Sequence, residues 1–256
     1  MPGLNILLVG GSGSVGREVR RAAVAAGHRV RILTRRPPGT DAHAEVAIAD
    51  LTDPATLSAA VEAIDAVVFT HGTHSSSPAE LEAVEYGGVR NILAALSARD
   101  EQRPVRVALM TSIGVTNRQM SGYTPDWKRR SERLVRASGH AYTIVRPGWF
   151  DYNDSDQHRL HFLQGDRRWN ASPADGVIAR SQIADVLVAS LESDAADHKT
   201  LELVAERGPA QTDLDPLFAE LDVDIDLDGP ADTPNLPLDA EPDRIKTDIA
   251  ALRPAH

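Results

Sequence analysis

The chain contains no cysteine. Disulfides, a thiolate nucleophile and any zinc site built on cysteine are therefore excluded, which fits a reducing compartment. It is also short of positive charge: 27 Lys and Arg stand against 37 Asp and Glu, a formal net charge of −10. A general nucleic-acid binder needs a net basic face to meet phosphates, and this balance argues against one, although a local basic patch remains open. No apolar run approaches the ~20 residues that a membrane-spanning helix requires. At the N-terminus, MPGLNILLVGGSGSVG confines its apolar run to Ile6 through Val9 and has no basic leader, so it reads as a first strand and not as a signal peptide. The expectation is a cytoplasmic protein that engages neither membrane nor nucleic acid.

What is present is ample material for a core, 42% hydrophobic residues in 256. Strand-like runs alternate with helical patterns: LNILLV, a helix to Ala26, RVRIL, AEVAI, a helix from Pro54 to Ala63, AVVFT, and a long helix from Pro78 to Arg99. VRVALM, a helix from Pro125 to Ser138 and YTIVRP follow. Strands separated by helices of ten or more residues imply crossover connections, hence an α/β protein with a doubly wound parallel sheet covered on both faces. Beyond Trp149 the pattern breaks into loops, a helix from Ser181 to Glu192, a strand KTLELV and a short helix from Asp213 to Leu221. The last thirty residues are rich in Asp and Pro and end in a helix over 241–252. No repeat and no Gly/Ser-rich linker divides the chain. The reading is a single domain over 1–256, with residues 1–150 forming the cofactor-binding part and 151–256 a small C-terminal substrate-side cap with an acidic tail.

Directly after the first strand comes GGSGSVGREV, in which Gly10, Gly13 and Gly16 are spaced GxxGxxG, and Gly11, Gly13 and Gly16 give GxGxxG. Such glycines permit a tight turn, let the backbone approach a diphosphate and let the helix pack close to the sheet; the helix N-terminus, here Ser14 and Val15, presents free N–H groups to the anion. GxGxxG alone is weak evidence, but its position between a predicted strand and a predicted helix is the context that gives it meaning. Sites for NAD commonly place Asp or Glu at the end of the second strand to accept from the ribose 2′-hydroxyl. Here that position reads LTRRP, with Thr34, Arg35 and Arg36 and no acid. Guanidinium groups suit a 2′-phosphate, so NADP is favoured over NAD; the bland alternative is a solvated arginine pair.

Taken with RR, ADLTD, TSIG, the helix around Lys128 and YTIVRPGWF, this loop gives the chain a resemblance to the atypical short-chain dehydrogenase/reductase superfamily and its NAD(P)H-binding, NmrA-like branch, over residues 4–204. The resemblance implies a Rossmann-like fold, Asp50 and Leu51 framing the adenine, and Thr70, His71 and Gly72 lying along the cofactor. It further implies Ser112 as the serine ending the fifth strand, and Pro147, Gly148 and Phe150 near the nicotinamide.

Standard members of the superfamily use YxxxK, because residues four apart share a helix face and the lysine can lower the tyrosine's pKa and hold the ribose. In YTPDWK the residue four before Lys128 is Thr124, and Tyr123 is five before, about 140° around a helix of 3.6 residues per turn. Thr124 is a good N-cap and Pro125 suits the first helical position, so the helix begins at Thr124 and leaves Tyr123 in the preceding loop. The dyad is absent as a helical motif. Lys128 stands as a candidate ribose ligand, or else as a surface lysine paired with Glu132 four residues on.

Two functional classes follow. One is an NADP-dependent reductase or epimerase-like enzyme acting on a small carbonyl compound, a monomer or homodimer, with Ser112 polarising the carbonyl and Tyr123 or water donating a proton. The other is a non-catalytic protein that reports NADP(H) state to a partner. DIDLDG, Asp224 to Gly229, opens like a calcium loop, but position twelve is Asn235 and Pro230 follows the glycine, so a solvated acidic edge is expected and no metal. His71 with His74, and His158 with His161, lack any supporting metal pattern. Trp149, Phe150 and Tyr152 are placed either at the mouth of a substrate pocket or in the core.

Overall fold

Every residue from Ile6 to Val9 is apolar, which suits a strand buried on both faces and not one at a sheet edge. In the computed structural model, which describes residues 3–36, 45–100, 103–118 and 124–254, this run is β1 (Asn5–Val9), fully buried from Ile6 onward. It pairs in parallel with β2 (Arg29–Thr34) on one side and β4 (Ala66–Phe69) on the other. β3 (Glu45–Ile48) extends the sheet beyond β2, and β5 (Arg106–Met110), β6 (Ala141–Pro147) and β10 (Lys199–Glu206) extend it beyond β4. The strand order β3-β2-β1-β4-β5-β6-β10 reverses direction at β1, the point where open α/β sheets bind ligands beyond the carboxyl ends of their strands.

Alternate residues of β1 feed two cores. Ile6 and Leu8 pack with Val15, Val19, Ile183 and Leu187 from α1 (Ser14–Ala25) and α5 (Arg180–Ser190). Leu7 and Val9 pack on the opposite face with Ile92, Leu93, Leu134, Val135, Ile245 and Ile249. These come from a helical run made of α2 (Pro78–Leu81), a π-helical stretch (Glu82–Gly87) and α3 (Gly88–Ser97), and from α4 (Thr124–Ala137) and α7 (Asp243–Leu252). Each fully buried aliphatic side chain contributes ~1.5–3 kcal/mol, and both layers are continuous across the sheet.

The structure corrects three sequence expectations. Over 54–63 there is no α-helix but two 3₁₀ turns, Pro54–Thr56 and Ser58–Val61, because the chain must reverse through Ala63 at φ +55° to enter β4. The region beyond Trp149 is not mainly loop. β8 (Arg159–Leu163) runs antiparallel to β10, and the two-residue strands β7 (Trp149–Phe150) and β9 (Val177–Ile178) add to the same sheet. A short α6 (Asp215–Ala219) then packs Phe218 into the α1/α5 core.

The third correction concerns the acidic tail. Asp224 and Asp228 do not form a solvated edge: Arg136 Nε donates to Asp224 Oδ2 at 2.7 Å, and Arg133 Nη2 to Asp228 Oδ1 at 2.9 Å. Arg130 and Arg133 both reach Glu241. Arg146 on β6, with no exposed side-chain surface, donates to Glu132, Glu202 and Asp232 at 2.7–3.2 Å. The sequence of α4, KRRSERLVR, thus turns its arginines toward carboxylates of the tail. Among the described residues no group of three or more His, Cys, Asp or Glu side chains forms a metal site, and no helix is long and apolar enough to cross a membrane.

One guanidinium cannot neutralise three carboxylates. Burial works to raise all three, but the bonds and charge of Arg146 outweigh it at Asp232, which falls to about 2, and hold Glu132 below its ordinary value as well. At Glu202 burial wins, helped by the Asp166 charge, and the carboxyl rises to about 8.

Removing one partner of a buried pair leaves an uncompensated charge, so Arg146→Ala should cost about 3–5 kcal/mol in denaturant unfolding. Arg207→Ala, which breaks only exposed contacts to Asp154 and Asp156, should stay within ~0.5 kcal/mol. Glu202 gives a pH signature. The folded carboxyl keeps its proton to about 8 whereas a free one loses it near 4.5, so this group's stabilisation is full below 4.5 and is lost as pH rises through that window. Glu202→Gln, always neutral, should gain stability relative to the native chain as pH rises from 4.5 to 8; parallel pH profiles of the two would mean that Glu202 is ionised in the folded protein.

Candidate functional site

The turn after β1 is built by backbone approach. Gly10 has φ +91°, and a Cβ there would stand 2.5 Å from the His71 nitrogen. A Cβ on Gly16 would fall 2.2 Å from the Gly10 oxygen, so α1 can start this close to the strand only without one. Gly13 N donates to Gly10 O at 2.9 Å, closing the turn, and Gly13 is the N-cap of α1 with no side chain capping it. The first amides of α1, at Ser14, Val15 and Gly16, are left for an anion.

At the ends of β1, β2 and β4 a cleft of about 740 Å³ opens. Among the sequence candidates, Gly10, Thr34, Arg35, Arg36, Asp50, Leu51, His71 and Gly72 line it, together with Ser12, Thr52, Thr73 and Val84. Thr34 Oγ1 donates to the Arg36 carbonyl at 3.0 Å and fixes the turn that presents the arginines. Both arginines are exposed and neither has an ion-pair partner among the described residues. Asp50 Oδ1 accepts from Thr52 N at 2.9 Å and from Thr52 Oγ1 at 2.7 Å, and these bonds hold its pKa below the ordinary value. Thr70 is buried behind the cleft, with Oγ1 donating to Val9 O.

His71 closes the inner end. Its Nε2 lies 3.0 Å from Val84 O, and burial pushes its pKa down to about 4, Glu85 pulling up and Lys128 pushing down, so the ring is neutral at physiological pH. Lys128 Nζ donates to Glu85 Oε2 at 2.9 Å, while Glu85 Oε1 accepts from Thr73 N at 2.9 Å. The expected alternative partner of Lys128, Glu132, is instead engaged by Arg146 and Arg136. Glu85 lies in the π-helical stretch, where the widened turn carries its side chain toward the β4 loop.

Gly13, Ser14, Val15 and Gly16, at the start of α1, and Ser112, Lys128, Pro147, Gly148 and Phe150 do not line the cleft; the last five belong to α4, β7 and the ends of β5 and β6. Ser112 is half-buried, and the loop that follows it is clamped by Asp166, which accepts from Gly114 N at 2.6 Å, Thr116 N at 2.7 Å and Thr116 Oγ1 at 2.8 Å. Pro147 is buried, and a Cβ on Gly148 would meet the Gly176 oxygen at 2.5 Å. Trp149 meets Tyr152 edge to face at 6.1 Å, and Tyr152 is largely exposed, so these rings form a surface pair and not core. Tyr123 lies outside the described residues, of which Thr124 is the first in α4. Glu85 and Asp166 were not legible as site residues. Each acts on a partner at least 43 positions away, and nothing local marks either.

The cleft has the size of a nucleotide site; Gly10 and Ser12 of the glycine turn line it, the uncapped start of α1 follows that turn, and two exposed arginines stand at one rim. Comparison with known proteins agrees. A family model described as NAD(P)H-binding matches residues 10–194. The chain is 23% identical to the photosystem II assembly factor Ycf39 of Synechocystis over 82% of its own length, and spans 65% of that protein. It is 27% identical to sanguinarine reductase of Eschscholzia californica, over 69% of this chain and 79% of that one. Among solved structures, a short-chain dehydrogenase/reductase superfamily protein of Agrobacterium tumefaciens with bound NAD superposes with a TM-score of 0.59 at 21% identity, covering 79% of this chain and 78% of the other. From the glycine turn, the switch-point cleft and these likenesses together, the chain belongs to the NAD(P)H-binding family and has a Rossmann fold.

Proposed function

We propose that this protein is an NADP-dependent reductase or epimerase-like enzyme acting on a small carbonyl compound. The observation that carries the cofactor preference is the rim of the cleft: Arg35 and Arg36 are exposed there and make no ion-pair contact among the described residues, only the charge of Arg35 being felt at Asp50, so a 2′-phosphate can take both. The amides of Ser14, Val15 and Gly16 hold the diphosphate, Asp50 and Leu51 frame the adenine, and Thr70, His71 and Gly72 border the middle of the cofactor. When bound, the nicotinamide supplies or accepts the hydride. Pro147, Gly148 and Phe150 wall that end.

Within this reading Ser112 donates a hydrogen bond to the substrate carbonyl oxygen, in a loop whose amides Asp166 has already fixed, so little reorganisation is needed. Lys128 reaches the ribose hydroxyls by exchanging one bond to Glu85. The neutral His71 ring beside it excludes water without adding charge. The proton comes from Tyr123 or from water. Sanguinarine reductase among the relatives supports a reductase.

A second reading, a non-catalytic sensor of NADP(H), is favoured by one feature: Lys128 is tied to the buried Glu85 and no tyrosine stands four residues before it. A relative named as an assembly factor points the same way. Steady NADPH oxidation with a panel of small aldehydes and ketones decides between the two, and tight binding without turnover on any of them would favour the sensor.

Changing Arg35 and Arg36 together to Ala should weaken NADP by roughly 10- to 100-fold in calorimetry and change NAD by less than about threefold. Equal losses for both dinucleotides would move recognition of the 2′-phosphate elsewhere. Ser112→Ala should lower turnover by about 100-fold while leaving the NADP dissociation constant unchanged; undiminished turnover would remove Ser112 from the mechanism.

A further inference from the structure

Two cations beside the glycine turn are not used by the cofactor reading: Arg17, whose Nη1 donates to Ser12 O at 2.8 Å, and Arg180, the first residue of α5. Arg180 Nε donates to Ser14 Oγ at 2.9 Å, and Ser14 opens α1. Its Nη1 bonds the Asp151 carboxylate, its guanidinium lies 5.2 Å from the centre of the Phe150 ring, and its own backbone N–H donates to Asp151 Oδ1 at 3.1 Å. No partner for Nη2 is found among the described residues. One side chain therefore joins the start of α1, the start of α5 and the segment after β6.

We infer that Arg180 is a cofactor-binding residue that grips the diphosphate of the dinucleotide from the side opposite the glycine turn, taking it in exchange for Asp151. The inference rests on the cofactor reading given above, since it places the anion at the first amides of α1. From Ser14 Oγ the guanidinium is one hydrogen bond from that seat, with Nη2 unspent. The present partner is easily exchanged: Arg180 and Asp151 side chains are 34% and 49% exposed, and pairs so exposed contribute little. A diphosphate offers more negative charge and several acceptor oxygens to the same fork.

The backbone shows that the carboxylate is held in place deliberately. Asp151 sits at φ +57°, in the left-handed region that a non-glycine residue occupies at a cost, and is fixed there by its N–H to Ile178 O at 2.8 Å. Its carboxylate then serves as the anion at the start of α5, whose N-cap Ala179 offers no side-chain bond. Asp151 keeps Arg180 ordered and pointed at α1 until a stronger anion arrives.

Titration calorimetry with NAD and NADP on the full chain tests this. Arg180→Gln keeps the side-chain length and loses the charge; it should weaken both dinucleotides by a similar factor, roughly 10- to 100-fold, because the diphosphate is common to them. Asp151→Asn tolerates the left-handed backbone and keeps an acceptor for the Arg180 N–H, but frees the guanidinium; it should tighten both by up to about fivefold. Unchanged affinity in Arg180→Gln, or a loss confined to NADP, would overturn the assignment. If Arg180→Gln does not fold, Asp151→Asn is read alone, and unchanged or weaker binding there rejects the proposal. A native chain that binds neither dinucleotide would instead refute the cofactor reading itself.

Discussion

Arg146 lies in the sheet with no access to solvent, and the rest of the C-terminal half is arranged around keeping it charged. Burying a guanidinium alone costs far more than a folded domain has to spare, so the charge must be met where it stands. Glu132 from α4 and Asp232 from the tail meet it as anions and Glu202 from β10 as a protonated acceptor, and all three are themselves buried beside the arginine. Four segments distant in sequence become one electrostatic unit. The orientation of α4 follows from it, and with α4 the direction of Lys128.

The same unit explains how an acidic tail is tolerated on an acidic protein. Asp224, Asp228 and Glu241 pair with the arginines of α4, so these tail charges are met where they stand although the net charge is unchanged. Other cations stand within reach of a ligand, Arg180 through an exposed pair with Asp151. Arg35 and Arg36 border the cleft, and Arg180 stands at the start of α1. An overall charge of −10 repels an anionic dinucleotide at long range, so the attraction has to be local: exposed guanidiniums and oriented amides within a few ångströms of the phosphates.

The cleft and the chemistry beside it are held by different means. The nucleotide side is backbone geometry, a turn at Gly10 and a helix that starts against it, and needs few side chains. The side around Ser112 and Lys128 is side-chain geometry. Asp166 fixes the loop after Ser112, and Glu85 fixes Lys128 and Thr73 together. A misplaced carboxylate in this half would shift a donor by an ångström without disturbing the fold.

The sequence alone determined the alternation of strands and helices, the parallel sheet, the glycine turn and the cation pair at the end of β2. All of these are local: a strand's apolar run, a helix's start residues and a turn's glycines act within a few positions, so their order along the chain is sufficient. The helix expected over 54–63 was misread because the need to reach β4 overrides propensity, and the strand β8 because its partner lies some 40 residues on. Only the tertiary structure decided that the side chains of Asp224, Asp232 and Glu241 are buried, that Lys128 meets Glu85 and not Glu132, and that Arg180 reaches Ser14 across 166 positions. Charge pairing has no period and no preferred separation along a chain. It becomes visible only once the sheet has brought the partners together.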